Sequence, residues 1–335
     1  MVIPSAVLSR ARRVADEFTA LTGVEVDADE LLTGRAALLG IAPAGRISAG
    51  GATRLMASRD GWCALTLSRP DDVDAIPALL QSDAVVDPWL AAQDWIADRD
   101  AAEVTERARL LGLPVAALGE TPSTPPRIRR LGSVTAPRDL SGLLVADLSS
   151  MWAGPLCGQL LVRAGATVVK VESPTRPDGT RAGPPTFFDW MNSGKRLYTA
   201  NFDEPSALQR LLARADIVIE SSRPAALARR GLGPTDIAPR AGRIWLRITG
   251  HGTDGACADW VAFGDDAAVS GGLVRGTDDA PEFCGDAIAD PLTGLHAALA
   301  VAESLRRGGG ELIEMSMAAV AAGYALLDER RLAPC

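Results

Sequence analysis

The side chains of this sequence best suited to chemistry are carboxylates in predicted loops: Asp147, Glu172, Asp265, Asp266, Asp286 and Asp290. A loop carboxylate can serve as a nucleophile or as a proton carrier, depending on its surroundings. Imidazole bases are scarce, His251 and His296 being the whole supply. No GxSxG elbow accompanies them, so a Ser-His-Asp hydrolase has little support. Cys63, Cys157, Cys257, Cys284 and Cys335 show no paired spacing. They suggest buried thiols in a reducing compartment rather than a zinc site or a disulfide framework, and no metal site is expected. The loop SSMWAGP (149–155) lacks a GxGxxG or GKS phosphate loop, which argues against NAD or ATP. Composition and spacing do not choose among the six carboxylates.

The elements that must position them fall into two textures. Residues 1–45 read as helical, with Val7, Ala11, Val14, Phe18 and Leu21 at three- and four-residue steps and a second run from Asp29 to Leu39. The segment LMASRDGWCALTL (55–67) carries an Asp60-Gly61 turn signal between apolar runs and reads as a β-hairpin. Helices are expected over Pro70–Leu80 and Pro88–Leu111. Residues 46–120 are assigned to a small α+β domain, and the proline-rich stretch 121–139 to a linker. From residue 140 to 335, short apolar strands alternate with helices. That is the pattern of an α/β fold with a Rossmann-like, mostly parallel sheet, whose ligands bind beyond the carboxyl ends of the strands.

With 335 residues and 47% hydrophobic side chains, the chain can bury a sizeable core. A formal charge of −8 argues against nucleic acid as a partner. The first residues, MVIPSAVLSRARRVADEF, interleave arginines and acids where a signal peptide needs an apolar run, and no stretch reaches membrane-span length. A cytoplasmic protein that does not enter the membrane is expected.

LLVADLSSMWAGPLCGQLLVRAGATVVKVESPTRPDGTR, MNSGKRLYTANF, ADIVIESSRPAALARRGLG, RITGHGTDG and GDAIADPLTGLHAALAVAESLRRGGGELIEMSM follow one another over about residues 140–327. In order and spacing this run resembles the class III CoA-transferases, the CaiB/BaiF group that includes formyl-CoA transferase. ASRDGWCALTLSRPDDVDAIPALL and its neighbours are similar to that family's small domain, here placed first in the chain. The resemblance implies an acyl-CoA:carboxylate CoA-transferase whose substrates are coenzyme A thioesters and an acceptor acid, and which forms a homodimer. It implies a covalent aspartyl intermediate on Asp290, within IADPLTG. It also implies CoA contacts at Arg229 and Lys195, and neighbouring positions at Trp152, Ala153, Ser173, Ser221 and Ser222. A plain alternative for Asp290 is an N-cap, with Pro291 opening the helix.

The same fold hosts α-methylacyl-CoA racemases, whose His-Asp arrangement corresponds to AFGDDAAVSGG. There Asp265 stands in place of the histidine, so an acyl-CoA racemase or isomerase is the second expectation. A non-catalytic CoA-binding protein is the third.

Overall fold

The computed structural model describes residues 3–82 and 85–327. Cys335 and the end of the stretch assigned to 140–335 lie outside the described residues. Two helices come first, α1 (Ser5–Thr22) and α2 (Ala28–Leu39). Next follow β1 (Thr53–Ala57), β2 (Trp62–Thr66), α3 (Pro70–Asp74), α4 (Ile76–Leu80), α5 (Pro88–Ala97), α6 (Ala101–Leu110) and β3 (Val115–Ala117). Then come β4 (Arg127–Arg130), β5 (Leu144–Asp147), α7 (Ala153–Arg163), β6 (Thr167–Glu172), α8 (Pro185–Asn192), β7 (Arg196–Thr199), α9 (Ser206–Arg214), β8 (Ile217–Glu220), α10 (Pro224–Ala228) and β9 (Ile244–Thr249). The last elements are α11 (Gly264–Ser270), β10 (Val274–Thr277), β11 (Ala280–Phe283), α12 (Ala289–Arg306), β12 (Glu311–Ser316) and α13 (Met317–Ala325).

The large sheet runs β4-β12-β9-β8-β5-β6-β7. Every pair is parallel except β12 with β4, which makes the fold α/β with a mostly parallel sheet. After the edge strand β4, the chain enters the middle of the sheet at β5, winds outward through β6 and β7, then returns to the other side at β8. A sheet wound this way opens a crevice beyond the carboxyl ends of β5 and β8, where the order reverses. Successive strand residues point to opposite faces. Val145, Ile217, Ile219 and Leu246 therefore pack with α7 and α12, while Ala146, Val218 and Trp245 meet Leu208 and Leu212 of α9. The first core also takes Val7, Phe18 and Leu31, so the N-terminal helices are docked on the large sheet's side of the molecule.

β1, β2 and β3 form their own antiparallel sheet over a separate core that includes Leu65, Ile76 and Ile96. Both predicted helices of this part are broken. Pro77 has no N–H to continue the first one. The second stops at Ala97 because the hairpin turn claims the break: Asp60 accepts from the Ala101 N–H (2.8 Å) and Arg59 pairs with Asp100. Within the proline-rich stretch 121–139, Arg127–Arg130 forms β4, an exposed edge strand whose arginines discourage further pairing. Cys63, Cys157 and Cys284 are buried, and Cys257 is half-buried.

Candidate active site

α7 and α12 meet beside the reversal in strand order, and their approach depends on Gly294. A Cβ there would lie 2.7 Å from the Ala153 carbonyl oxygen and within 3.0 Å of Leu156. Asp290 is the second residue of α12, and Ile288 occupies the cap position. The N-cap alternative for Asp290 therefore fails: its carboxylate bonds no N–H of its own helix. Instead Oδ1 accepts from the backbone N–H of Ala153, 3.3 Å away at the start of α7. The positive end of α7, an aligned stack of peptide dipoles, thus faces the carboxylate.

Asp290 opens onto a cleft of about 240 Å³. Trp152, Phe187 and Phe263 form apolar walls, the small sheet contributes Thr53 and Thr66, and Asp265 and Arg35 bring charge. Thr53 and Thr66 pair across the β1–β2 register (Oγ1···Oγ1 2.9 Å), and Thr66 donates to Asp266 Oδ1 at 2.9 Å. Asp286, fully buried, pairs with Arg35, and Asp265 accepts from the Ala287 N–H at 3.0 Å.

Asp265, Asp286 and Asp290 therefore gather around the guanidinium of Arg35, with Asp266 next to Asp265 in the chain. Burial pushes the Asp290 carboxyl up to about 7; the Ala153 N–H and Arg35 pull it down, and Asp265 and Asp286 push it further up. Asp265 is raised to about 7 by burial and by the charge of Asp286. Asp266 is raised to about 8, mainly by burial, and burial raises Asp286 against the pull of Arg35. Asp266 Oδ2, Asp286 Oδ2 and Trp152 Nε1 are buried without a hydrogen-bond partner among the described residues.

The backbone is strained at two points of the cleft wall, Met151 (φ 74°) and Ala287 (φ 42°), where a side chain disfavours the left-handed region. Met151 is held there by Asp178, which accepts its N–H at 3.1 Å and is itself paired with the buried Lys170 at 2.7 Å.

Of the residues expected from sequence, Asp290, Ala153 and Trp152 come together. Trp152 is buried, edge-on to Phe187 with ring centroids 5.3 Å apart. Ser173 shares a hydrogen bond with Thr175 (3.0 Å) after β6, and Ser221 accepts from the Ser150 N–H (3.1 Å) after β8, with Ser222 beside it. These serines lie at carboxyl ends of strands but do not line the cleft. Arg229 ends α10, exposed and without an ion-pair partner among the described residues. Lys195 is a correction: its side chain has no exposed surface, and Nζ meets Asp147 Oδ2 (2.9 Å), the Pro155 carbonyl (2.8 Å) and Asn192 Oδ1 (3.1 Å). Three acceptors consume its three protons, so it braces the start of α7 and has none to offer a ligand. Sequence reasoning missed Arg35, because nothing in ADELLTGRAALL shows where that helix docks. Among the described residues, no group of three or more His, Cys, Asp or Glu is arranged to hold a metal, and no helix is long and apolar enough to cross a membrane.

Fold and cleft together define an α/β protein with a carboxylate-lined site where its large parallel sheet reverses. The profile of CoA-transferase family III matches residues 140–328, and the chain belongs to that family. It is similar to the succinate–glutarate CoA-transferase of Agrobacterium fabrum, 34% identical over 206 residues, covering 53% of this chain and 50% of that one. The succinyl-CoA–D-citramalate CoA-transferase of Chloroflexus aurantiacus is 30% identical over 205 residues (56% and 51%). A crystal structure of a CaiB/BaiF family protein from Brucella suis superposes with a TM-score of 0.51 at 32% identity, over 58% of this chain and 57% of that one. The chain thus spans about half the length of the relatives it matches.

Proposed function

We propose that the protein moves CoA from an acyl-CoA to a carboxylic acid through a covalent intermediate on Asp290. In its ionised form, the Asp290 carboxylate attacks the thioester carbonyl. A C–O bond forms, the C–S bond breaks, and CoA thiolate leaves an acyl-aspartyl anhydride. The thiolate then attacks the aspartyl carbonyl and releases the first acid as its carboxylate. The acceptor carboxylate reverses both steps on the resulting aspartyl-CoA thioester, which returns Asp290 unchanged. Splitting the exchange in this way replaces one hard displacement by easier ones. The observation that carries the reading is the placement of Asp290: in the cleft, bonded to the Ala153 N–H at a helix N-terminus, with Arg35 nearby to favour its charge. The names of the two relatives described above, a succinate–glutarate and a succinyl-CoA–D-citramalate CoA-transferase, support it. Arg229, exposed beyond β8 and without an ion-pair partner among the described residues, is assigned to the phosphates of CoA.

Incubation with succinyl-CoA followed by intact-mass measurement is expected to show a CoA adduct, absent from Asp290→Asn, with transfer lowered about 10⁴-fold or more. No adduct on the unaltered protein, or an adduct retained by Asp290→Asn, would sink the assignment.

A second reading has one observation behind it. Asp265 and Asp290 share the cleft with carboxyls both held at about 7, a suitable pair for moving a proton beside a thioester carbonyl. Deuterium uptake at the α-carbon of an acyl-CoA, without CoA transfer, would favour this isomerase reading.

A further inference from the structure

Arg35 belongs to α2, outside the family-matched residues 140–328, yet it forms one wall of the cleft. Ala28, Leu31 and Leu32 anchor α2 in the main core, and Asp27 caps its start by accepting from the N–H groups of Asp29 and Glu30. The guanidinium itself is held on three sides. Nη1 is paired with Asp286, and the carbon centre lies 5.2 Å from the Phe187 ring and 5.5 Å from the Trp152 ring. Its other edge, Nε and Nη2, has no hydrogen-bond partner among the described residues, and the side chain keeps 22% of its surface exposed. An immobilised guanidinium with a free edge is preorganised for the planar, two-point geometry of a carboxylate.

The rest of the cleft says which carboxylate. Asp265 and Asp290 stand on its wall, so a ligand anion placed at random would be repelled; among the described residues, Arg35 is the one cationic side chain lining the cavity. The apolar surfaces of Trp152, Phe187 and Phe263 line the same cleft and are suited to methylene groups. About 240 Å³ is below the roughly 300–1,000 Å³ of a cleft that holds a drug-sized ligand. It accommodates a short acyl chain, with the nucleotide outside.

We infer that Arg35 is a specificity-determining residue that binds the distal carboxylate of a short dicarboxylic acyl group while its thioester end meets Asp290. This rests on the CoA-thioester reading of the cleft. It predicts that a dicarboxylic monothioester is preferred over the monocarboxylic thioester of equal chain length.

The test is equilibrium binding of succinyl-CoA and butyryl-CoA, four-carbon thioesters differing in the second carboxylate, measured by calorimetry on Asp290→Asn so that no turnover interferes. Succinyl-CoA is expected to bind more tightly. Adding Arg35→Gln should weaken succinyl-CoA by roughly 10- to 100-fold, the range of a lost charged hydrogen bond, and change butyryl-CoA by less than about threefold. Because Arg35→Gln leaves Asp286 buried without its partner, the same measurement on Arg35→Gln with Asp286→Asn removes the stranded charge and must show the same selective loss. Equal weakening of both thioesters, or no change in either, overturns the inference and leaves Arg35 as the structural mate of Asp286. Selective, Arg35-dependent binding without a covalent adduct on the unaltered protein would overturn the transferase reading alone. Adduct formation without discrimination would overturn this inference alone.

Discussion

The protein buries charge in two ways. Under the turn before α7, each acid has its own ammonium: Asp147 with Lys195 and Asp178 with Lys170, the only two lysines in the chain, all four side chains without exposed surface. At the cleft, Asp265, Asp286 and Asp290 share the guanidinium of Arg35, while Asp266 is held by hydrogen bonds from the Phe263 N–H and Thr66. The consequences diverge. Burial pushes Asp178 up, but Lys170 and Thr180 outweigh it and leave the carboxyl below its ordinary value. The same burial, uncompensated, carries Asp265 and Asp290 to about 7 and Asp266 to about 8. Matched charges fix the backbone, here the strained Met151 turn. Unmatched ones store electrostatic cost where a ligand can relieve it.

Breaking a matched pair has the largest expected effect on stability. Lys195→Met strands Asp147 in a dry site and should lower the unfolding free energy by about 3–5 kcal/mol in urea titrations. Neutralising the partner as well, with Asp147→Asn, should restore much of that loss. A Lys195→Met protein of unchanged stability but weakened CoA binding would instead return Lys195 to the ligand.

Disturbing the unmatched group should cost function before stability. A Cβ at Gly264 would run into Asp290 Oδ2 and the Ala287 carbonyl. Gly264→Ala should therefore displace the carboxylate and reduce transfer by about 10²-fold, with about 1–3 kcal/mol lost to overpacking. Intact activity in that variant would mean Asp290 need not sit where it does.

The raised carboxyls also set a pH dependence. Between their unfolded value, about 4, and about 7–8, the folded protein holds protons that the unfolded chain has released. Unfolding free energy should therefore fall as pH rises through that window and level off above it. Transfer, which needs ionised Asp290, should rise through about pH 7. These apparent values belong to the cluster as a whole. A flat stability profile from pH 5 to 8 would contradict the burial of these acids.

The smallest effect is expected at Asp266. Held protonated at neutral pH, it resembles an amide, so Asp266→Asn should change stability at pH 6 by no more than about 1 kcal/mol, the worth of one neutral hydrogen bond. It should also flatten the pH slope. Asp178→Asn, which breaks a matched pair, should cost several times as much by the same measurement.

The large sheet was legible in the sequence because its strands are buried on both faces and read as apolar runs, as in LLVADL and DIVIES. The hairpin at 55–67 was legible through Asp60-Gly61. The helix breaks near Pro77 and Asp98 were less so, since one depends on a single missing N–H and the other on an aspartate 41 residues earlier in the chain. At the site, the IADPLTG motif drew attention to Asp290, whereas local pattern alone favoured a cap. Only packing shows that the carboxylate turns away from its own helix to the Ala153 N–H, 137 residues distant in sequence.

What the sequence by itself determined was the alternation of strands and helices, the family and the stock of carboxylates, because periodicity and motif are local properties of the chain. The tertiary structure decided which acids are matched and which are not. It enclosed Lys195 among three acceptors and brought Arg35, 255 residues before Asp290, into the lining of the same cleft. Burial and pairing across such separations depend on how helices dock, and the shift of a carboxyl is a sum over neighbours that no stretch of sequence contains.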